Sequence, residues 1–356
     1  MDTVQLERLL ADSFARVDPE IDVRVDRAGA RPGRFLATIQ TTPTEVAWLA
    51  TGWPRQIRDL LDRPDRPGLV VASELSQGAR KLLTENGLSW VDETGAARVA
   101  LPGVYIRVDV GQAPKEPRAN LGWTPSTLAV CEALIVGIGG TVAELTAATG
   151  LAPSTAAASL RFLQKAHLVE SEAARGRNSR RTVADEEKLL DTYAAAAGRL
   201  RTPESIRVGV LWRNPARGVT DLGARLSAKG VAWNTTGALA ADVLAPYLTE
   251  VDPWEIYVDG GSVAELRQIA REAGMEQADG GRLLLRAFPT PAKDRLCTEA
   301  AGQRVAAWPR VFSELRMLGV RGEEAAEHLR EQMGAEEGAR NRSELAGPGE
   351  PPSSRS

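Results

Sequence analysis

The sequence predicts a multidomain mixed α/β (α+β) protein, on three observations. Its 356 residues exceed what one ordinary core organises, at about 100–200 residues per domain. Strand-like runs rich in β-branched and aromatic residues lie on both sides of a helical, alanine-rich stretch at 124–198. Between the first strands and that stretch, GQAPKEPRANLGWTP combines Gly, three prolines and charges, which neither helix nor strand sustains, so residues 111–123 are a linker.

The bulk properties narrow the class. A chain that is 43% hydrophobic and 26% charged folds as a globular protein, and it has no window of about 18 apolar residues for a membrane span. The opening MDTVQLERLLADSFARVDPEID has acidic residues throughout and no apolar core, so neither a secretory signal nor a transit peptide is expected. A cytoplasmic location follows, nucleoid-associated when DNA is bound. Cys131 and Cys297 are far apart and have no His/Cys cluster around them, which predicts two buried, reduced thiols and no metal. Neither of the two histidines, His167 and His328, has a partner at a catalytic spacing, which disfavours most acid–base enzymes; no catalytic residue and no cofactor are expected. A net charge of −3 argues against a whole-surface polyanion binder but leaves room for a local basic footprint.

Along the chain, residues 1–110 form an N-terminal α/β domain. Val4, Leu6, Leu9 and Leu10 recur at helical spacing, and FLATIQ at 35–40 reads as a strand. Strand, helix and three strands follow: GLVVAS at 68–73, ELSQGARKLLTEN at 74–86, LSWVD at 88–92, AARVA at 96–100 and GVYIRVD at 103–109, with DETG at 92–95 as a turn. Beyond 198, SIRVGVLW, GVAWNTT and PWEIYVD alternate with helical ALAADVLAPYL and SVAELRQIAREAG, a C-terminal α/β domain at 199–333. The tail at 334–356, rich in Gly, Pro, Ser and charge, is expected to be disordered.

The central segment, 124–198, is the most specific. TPSTLAVCEALIVGIGG, TVAELTAATG, LAPSTAAASLRFLQKAHLVE and ARGRNSRRTVA succeed one another with the order and lengths of a winged helix-turn-helix, spanning roughly 121–185. Leu128, Cys131, Leu134 and Ile135 give the first helix an apolar face. Thr141 caps the second with Glu144 in a capping box, and Gly150 stops it. Pro153 opens the third, whose Ala156, Leu160 and Leu163 face inward. Ala152 stands where Ser or Thr usually caps such a helix. The outer face would present Ser154, Thr155, Ala158, Arg161 and Lys165 to the major groove of double-stranded DNA. These mostly small side chains predict modest base readout. Arg175, Arg177, Arg180 and Arg181, around Gly176 and Asn178, would then form a basic wing on phosphates or a narrow minor groove. A winged helix used only for protein contact, its arginines a solvated loop, is the alternative.

LTENGLSWVDETGAARVALPGVYIRV, with Gly87, Trp90, Val91, Asp92 and Gly95, resembles the strand-turn-strand signature of type IV antitoxins of the abortive-infection AbiE kind (AbiEi), with Ala96 where that family often has Asn. TTGALAADVLAPYL and the closing AAWPRVFSELRMLGVRGEEAAEHLREQM extend the resemblance over about residues 65–333. It implies a transcriptional regulator of its own promoter that neutralises a nucleotidyltransferase toxin, where one exists, and whose N-terminal domain is nuclease-like but non-catalytic. The residues agree: no strand offers a Glu-x-Lys pair with an upstream Asp, and Asp92 with Glu93 reads as a turn dipeptide.

Two rivals come from other classes. VDGGSVAEL at 258–266 would suit a nucleotidyltransferase, whose backbone N–H groups receive phosphates there, but Glu272, Glu276 and Asp279 fall in helix and turn positions; a strand-to-helix turn capped by Ser262 is the plainer reading. An interaction module would use the C-terminal domain, but Trp212, Trp233 and Trp254 read as core, and Arg321, Glu323, Glu324, Glu327 and His328 as a solvated helix face. A homodimer would let two winged helices reach half-sites one helical turn apart, yet no heptad or apolar stripe marks its interface.

Overall fold

The computed structural model describes residues 3–15, 20–31, 33–108, 122–171 and 180–345. The chain divides into two compact units, Met1–Ala119 and Asn120–Ser356. No helix among the described residues is long and apolar enough to cross a membrane.

The first unit contains α1 (Thr3–Ala15), β1 (Val23–Arg31), β2 (Arg34–Ile39), β3 (Thr42–Leu49), α2 (Pro54–Leu61), β4 (Leu69–Ala72), α3 (Gln77–Glu85), β5 (Ser89–Asp92), β6 (Ala97–Leu101) and β7 (Val104–Val108). The seven strands lie side by side in chain order. β3, β4 and β5 are parallel, and parallel neighbours need crossovers, which α2 and α3 supply. Leu6, Leu10 and Phe14 of α1 pack on Phe35, Ala37, Val46 and Val71 on one face. Ile57, Leu60, Ala79 and Leu83 pack on Ala47, Val70, Ala72 and Trp90 on the other. The four residues of β4 are therefore all buried, which explains their unbroken apolar run.

The Asp92 turn has a structural job. Asp92 is fully buried; its Oδ1 accepts the N–H groups of Thr94 (3.0 Å) and Ala96 (3.2 Å), and its Oδ2 accepts Arg80 Nη2 at 2.6 Å. Gly95, at φ +90°, supplies the backbone conformation the turn needs. Trp90 donates its indole N–H to Thr84 at 3.2 Å, which leaves the signature tryptophan as core.

The second unit runs α4 (Pro125–Ile135), α5 (Val142–Thr149), α6 (Pro153–Lys165), β8 (Val169–Ser171), β9 (Arg181–Val183), α7 (Glu186–Arg199), β10 (Ser205–Val208), α8 (Pro215–Ala228), β11 (Trp233–Thr236), α9 (Gly237–Leu244), β12 (Trp254–Val258), α10 (Val263–Glu272), β13 (Leu283–Ala287), β14 (Thr298–Ala300), β15 (Gln303–Val305), α11 (Trp308–Leu315), a 3-10 turn (Arg316–Leu318) and α12 (Gly319–Leu345). β10 to β15 form a six-stranded sheet in the order β10-β13-β12-β11-β15-β14, and β8 and β9 form a separate two-stranded ladder. α8 and α10 cover one sheet face through Val219, Leu222, Leu266 and Ile269, with Trp233 and Trp254 in that core and Trp212 stacked on Trp254. Ser262 caps α10, its hydroxyl accepting the Glu265 N–H at 3.3 Å.

Several expectations are corrected here. The segments 124–198 and 199–333 share one core: Leu128 and Leu134 of α4, Leu160 of α6 and Tyr193 of α7 pack with Ala240, Val311, Phe312, Ala326 and Leu329. The cause is α4, whose residues Thr127 to Leu134 are all buried, more surface than α5 and α6 alone cover. α12 continues past Gly334 to Leu345, so helix replaces the first half of the expected disordered tail; residues 346–356 lie outside the described residues. The RGEEAAEHLREQM face is not all solvated: Glu323 and Glu327 are buried, and Glu327 meets Arg316 Nη2 at 3.1 Å. Arg316 also meets Asp191 at 2.7 Å, so the carboxylates offset a buried guanidinium whose pKa desolvation lowers. Cys131 is buried, but Cys297 is only half-buried, its sulfur 3.3 Å from Arg304 Nη2. The run SIRVGVLW leaves the sheet at Val208, and Leu211 stands fully exposed.

Candidate nucleic-acid interface

Local chemistry sets the three helices α4 to α6. Thr124 caps α4, its Oγ1 accepting the Thr127 N–H at 3.1 Å, with Pro125 in the first turn where no N–H is missed. Thr141 and Glu144 form the expected capping box: Thr141 Oγ1 accepts the Glu144 N–H (3.2 Å), and Glu144 Oε2 accepts the Thr141 N–H (3.0 Å). The Thr141 hydroxyl, which also donates to Glu144 Oε2 (2.6 Å), and the Thr141 N–H, with a smaller pull from the Arg180 charge, hold the Glu144 carboxyl below its ordinary value. Gly150, at φ +72°, ends α5. Ala152 starts α6 with no side-chain cap.

On α6 the two faces separate as the spacing requires. Ala156, Leu160 and Leu163 are buried. Ser154, Ala158, Arg161 and Lys165 are exposed and Thr155 half-buried. At about 100° per residue the four exposed positions fall within roughly 60° of one another, opposite the buried stripe. The sequence-derived contact residues on this helix therefore form one continuous solvent-facing row.

After α6 the chain turns through His167, at φ +55°, into the ladder of β8 and β9, where Val169 pairs with Val183 and Ser171 with Arg181. Arg180 is exposed and Arg181 half-buried. Arg175 and Arg177 lie outside the described residues. The ladder is clamped to the start of α5: the Arg181 N–H donates to the Gly140 carbonyl at 3.1 Å, and a Cβ on Gly140 would stand 1.8 Å from the Arg181 carbonyl oxygen. Only glycine permits this approach, which fixes Arg180 and Arg181 relative to α5.

Sequence reasoning missed the bracing behind this surface. Glu132, wholly buried on α4, accepts Tyr193 Oη–H (2.6 Å) and Arg310 Nε–H (3.0 Å) on Oε1, while Arg310 Nη2 donates to Oε2 and to Thr290 Oγ1 (2.7 Å). Burial pushes the Tyr193 phenol well above its usual range, so it remains a neutral donor. Burial, the largest single influence, would lower the pKa of Arg310, but the Glu132 charge and hydrogen bond together with the neighbouring Tyr193 and Tyr257 outweigh it and the net shift is upward. A neighbouring cluster repeats the logic. Glu314 accepts the Gly237 N–H at 2.9 Å and a hydroxyl from Thr236 and from Tyr257, and Arg286 bridges Glu255 (2.6 Å) and Glu314 (3.2 Å). Burial and the Glu314 charge raise the Glu255 pKa against the pull of Arg286. The one signal for the first pair was an acidic residue inside the otherwise apolar run AVCEALIV.

Comparison with known proteins leaves the geometry as the source of the functional reading: no family model, curated protein or solved structure matches the chain.

Proposed function

We propose that the protein is a DNA-binding transcriptional regulator in which α4 to α6 with β8 and β9 act as a winged helix-turn-helix. The observation that carries this reading is the exposed row Ser154, Ala158, Arg161 and Lys165 on a helix packed against the braced α4, beside a ladder whose second strand begins at Arg181, with Arg180 just before it. Small side chains at the first turn of a recognition helix allow close approach to base edges, and the cations further along reach phosphates. In a chain of net charge −3, a local basic footprint is the feature duplex binding requires. An antitoxin-like role, with a nucleotidyltransferase toxin as protein partner, belongs to the same proposal. It draws on the sequence resemblance and on the order of an α/β unit, the three helices with their ladder, and a second sheet.

The test is a salt-dependent titration against the protein's own upstream region and a scrambled duplex, with Arg161→Ala/Lys165→Ala and Arg180→Ala/Arg181→Ala variants. The expected result is preferential binding to the upstream duplex, and a slope of log Kobs against log salt that falls by about 0.9 for each phosphate contact removed. Equal slopes for wild type and both variants would sink this assignment of the interface. Binding to neither duplex at low salt would sink DNA binding itself.

A further inference from the structure

The loop between β13 and β14 reaches the α5–α6 turn. Arg295 lies against Gly150: a Cβ there would stand 2.7 Å from Arg295 Nε and 3.1 Å from Cζ. Gly150 precedes Pro153, the first residue of α6, by three positions, so the guanidinium sits at the end of α6 that a recognition helix carries nearest the bases.

This placement is built. Ala292 is wholly buried in the core that contains α4. Thr290 accepts Arg310 Nη2 at 2.7 Å, and Arg310 in turn holds Glu132 of α4. Successive turns close through Lys293 N–H to Thr290 O (3.1 Å), Arg295 N–H to Ala292 O (2.9 Å) and Cys297 N–H to Asp294 O (3.2 Å). The buried pair that braces the first helix therefore also anchors the loop carrying Arg295.

The charges in the loop differ in their engagement. Lys293 is paired with Asp259 at 2.8 Å, and Asp294 with Arg304 at 2.9 Å. Arg295 is exposed and has no carboxylate partner among the described residues. The α6 N-terminus begins three residues after the Gly150 that Arg295 lies against, and Ala152 offers no side-chain oxygen to the first turn. A cation and an uncapped helix start thus face solvent together, which is the local chemistry of a phosphate contact.

We infer that Arg295 is a third cationic element of the DNA interface, gripping a backbone phosphate beside the N-terminal end of α6. The inference rests on the reading of α6 as a recognition helix. A phosphate contact positions the protein without reading sequence, so Arg295 contributes to affinity and not to base choice.

The experiment is a salt titration of the full chain on the upstream and scrambled duplexes, comparing wild type with Arg295→Ala, Arg295→Lys, Arg161→Ala and, as a distant surface control, Arg217→Ala. Thermal melts run in parallel; all variants should melt with wild type, because these side chains are exposed. Arg295→Ala should weaken both duplexes by the same factor and lower the salt slope by about 0.9, with Arg295→Lys keeping the slope and Arg217→Ala leaving it untouched. A slope that drops for Arg161→Ala and stays at the wild-type value for Arg295→Ala would overturn the inference and leave α6 as the reader. Wild-type protein that binds neither duplex overturns both readings.

Discussion

Glu132 and Arg310 tie α4 to α11 through one buried charged pair. Both are buried, each supplies the countercharge of the other, and Tyr193 and Thr290 complete the hydrogen bonds. Breaking such a pair from one side leaves an uncompensated charge, so Glu132→Leu should lower unfolding free energy by about 3–5 kcal/mol in urea titration. Glu132→Leu combined with Arg310→Met should recover most of that loss, because apolar groups of similar volume often replace a buried pair at little cost. A single substitution costing under about 1 kcal/mol would show that water reaches Arg310 in solution. Such a pair is hard to read from sequence. Glu132 stands out in its apolar run, but its partner lies 178 positions away, and nothing local in WPRVFSEL marks Arg310 as that partner. Glu323 and Glu327 were obscured differently: on RGEEAAEHLREQM their spacing resembles a solvated face, and only the packing of Arg316 against α12 reveals them as buried.

Among the elements, those with local signals were the legible ones. Capping is short-range chemistry, so Thr141, Glu144, Gly150 and Pro153 located α5 and α6 before any tertiary contact was known. β1 carried no such signal, and α2 only a faint one, Pro54 at its start and Gln56, whose side chain accepts the Trp53 N–H at 3.1 Å. VRVDRAGAR alternates charge with small residues, and PRQIRDLL is two turns long, so their identity depends on the sheet they join. The missing cap on α6 leads to a prediction at this scale. Ala152 is exposed with extended backbone, φ −61° and ψ 144°, the conformation from which a hydroxyl reaches the first-turn N–H groups. Ala152→Ser should therefore stabilise the protein by about 1 kcal/mol, read as a rise in melting temperature. A lower melting temperature would mean that the α5–α6 turn does not admit the N-cap hydrogen bond. The expected disordered tail failed for a related reason: GAEEGARNRSEL has few apolar residues, but a helix already nucleated by packing at Leu329 propagates through Glu, Ala and Arg at little further cost.

At the scale of the molecule, the division at Ala119 separates a segment with its own two-sided core from one whose helices and sheet depend on each other. The segment α4 to α7, with its two-stranded ladder, therefore should not behave as an excisable module. A fragment covering 120–200 would lose Arg310, Phe312 and Leu329 and expose Glu132, whereas 120–345 retains the whole shared core. The longer fragment should unfold in one cooperative transition by calorimetry and the shorter one should show none, as should 120–200 in heteronuclear NMR, where its amide shifts would be poorly dispersed. A sharp transition in 120–200 would show that α4 to α7 can close a core alone.

The 178 positions between Glu132 and Arg310 are also an interval of time. A ribosome adding about 5–20 residues per second spends roughly 10–40 s between the two codons, an interval in which α4 exists without its buried countercharge. The first unit can finish its sheet in that interval, while the core behind α4 to α6 waits for α11, almost the last helix. A nascent chain of this design is thus slow to complete its second core, and translation that aborts before Arg310 releases a chain with α4 to α6 but without the residue that braces α4.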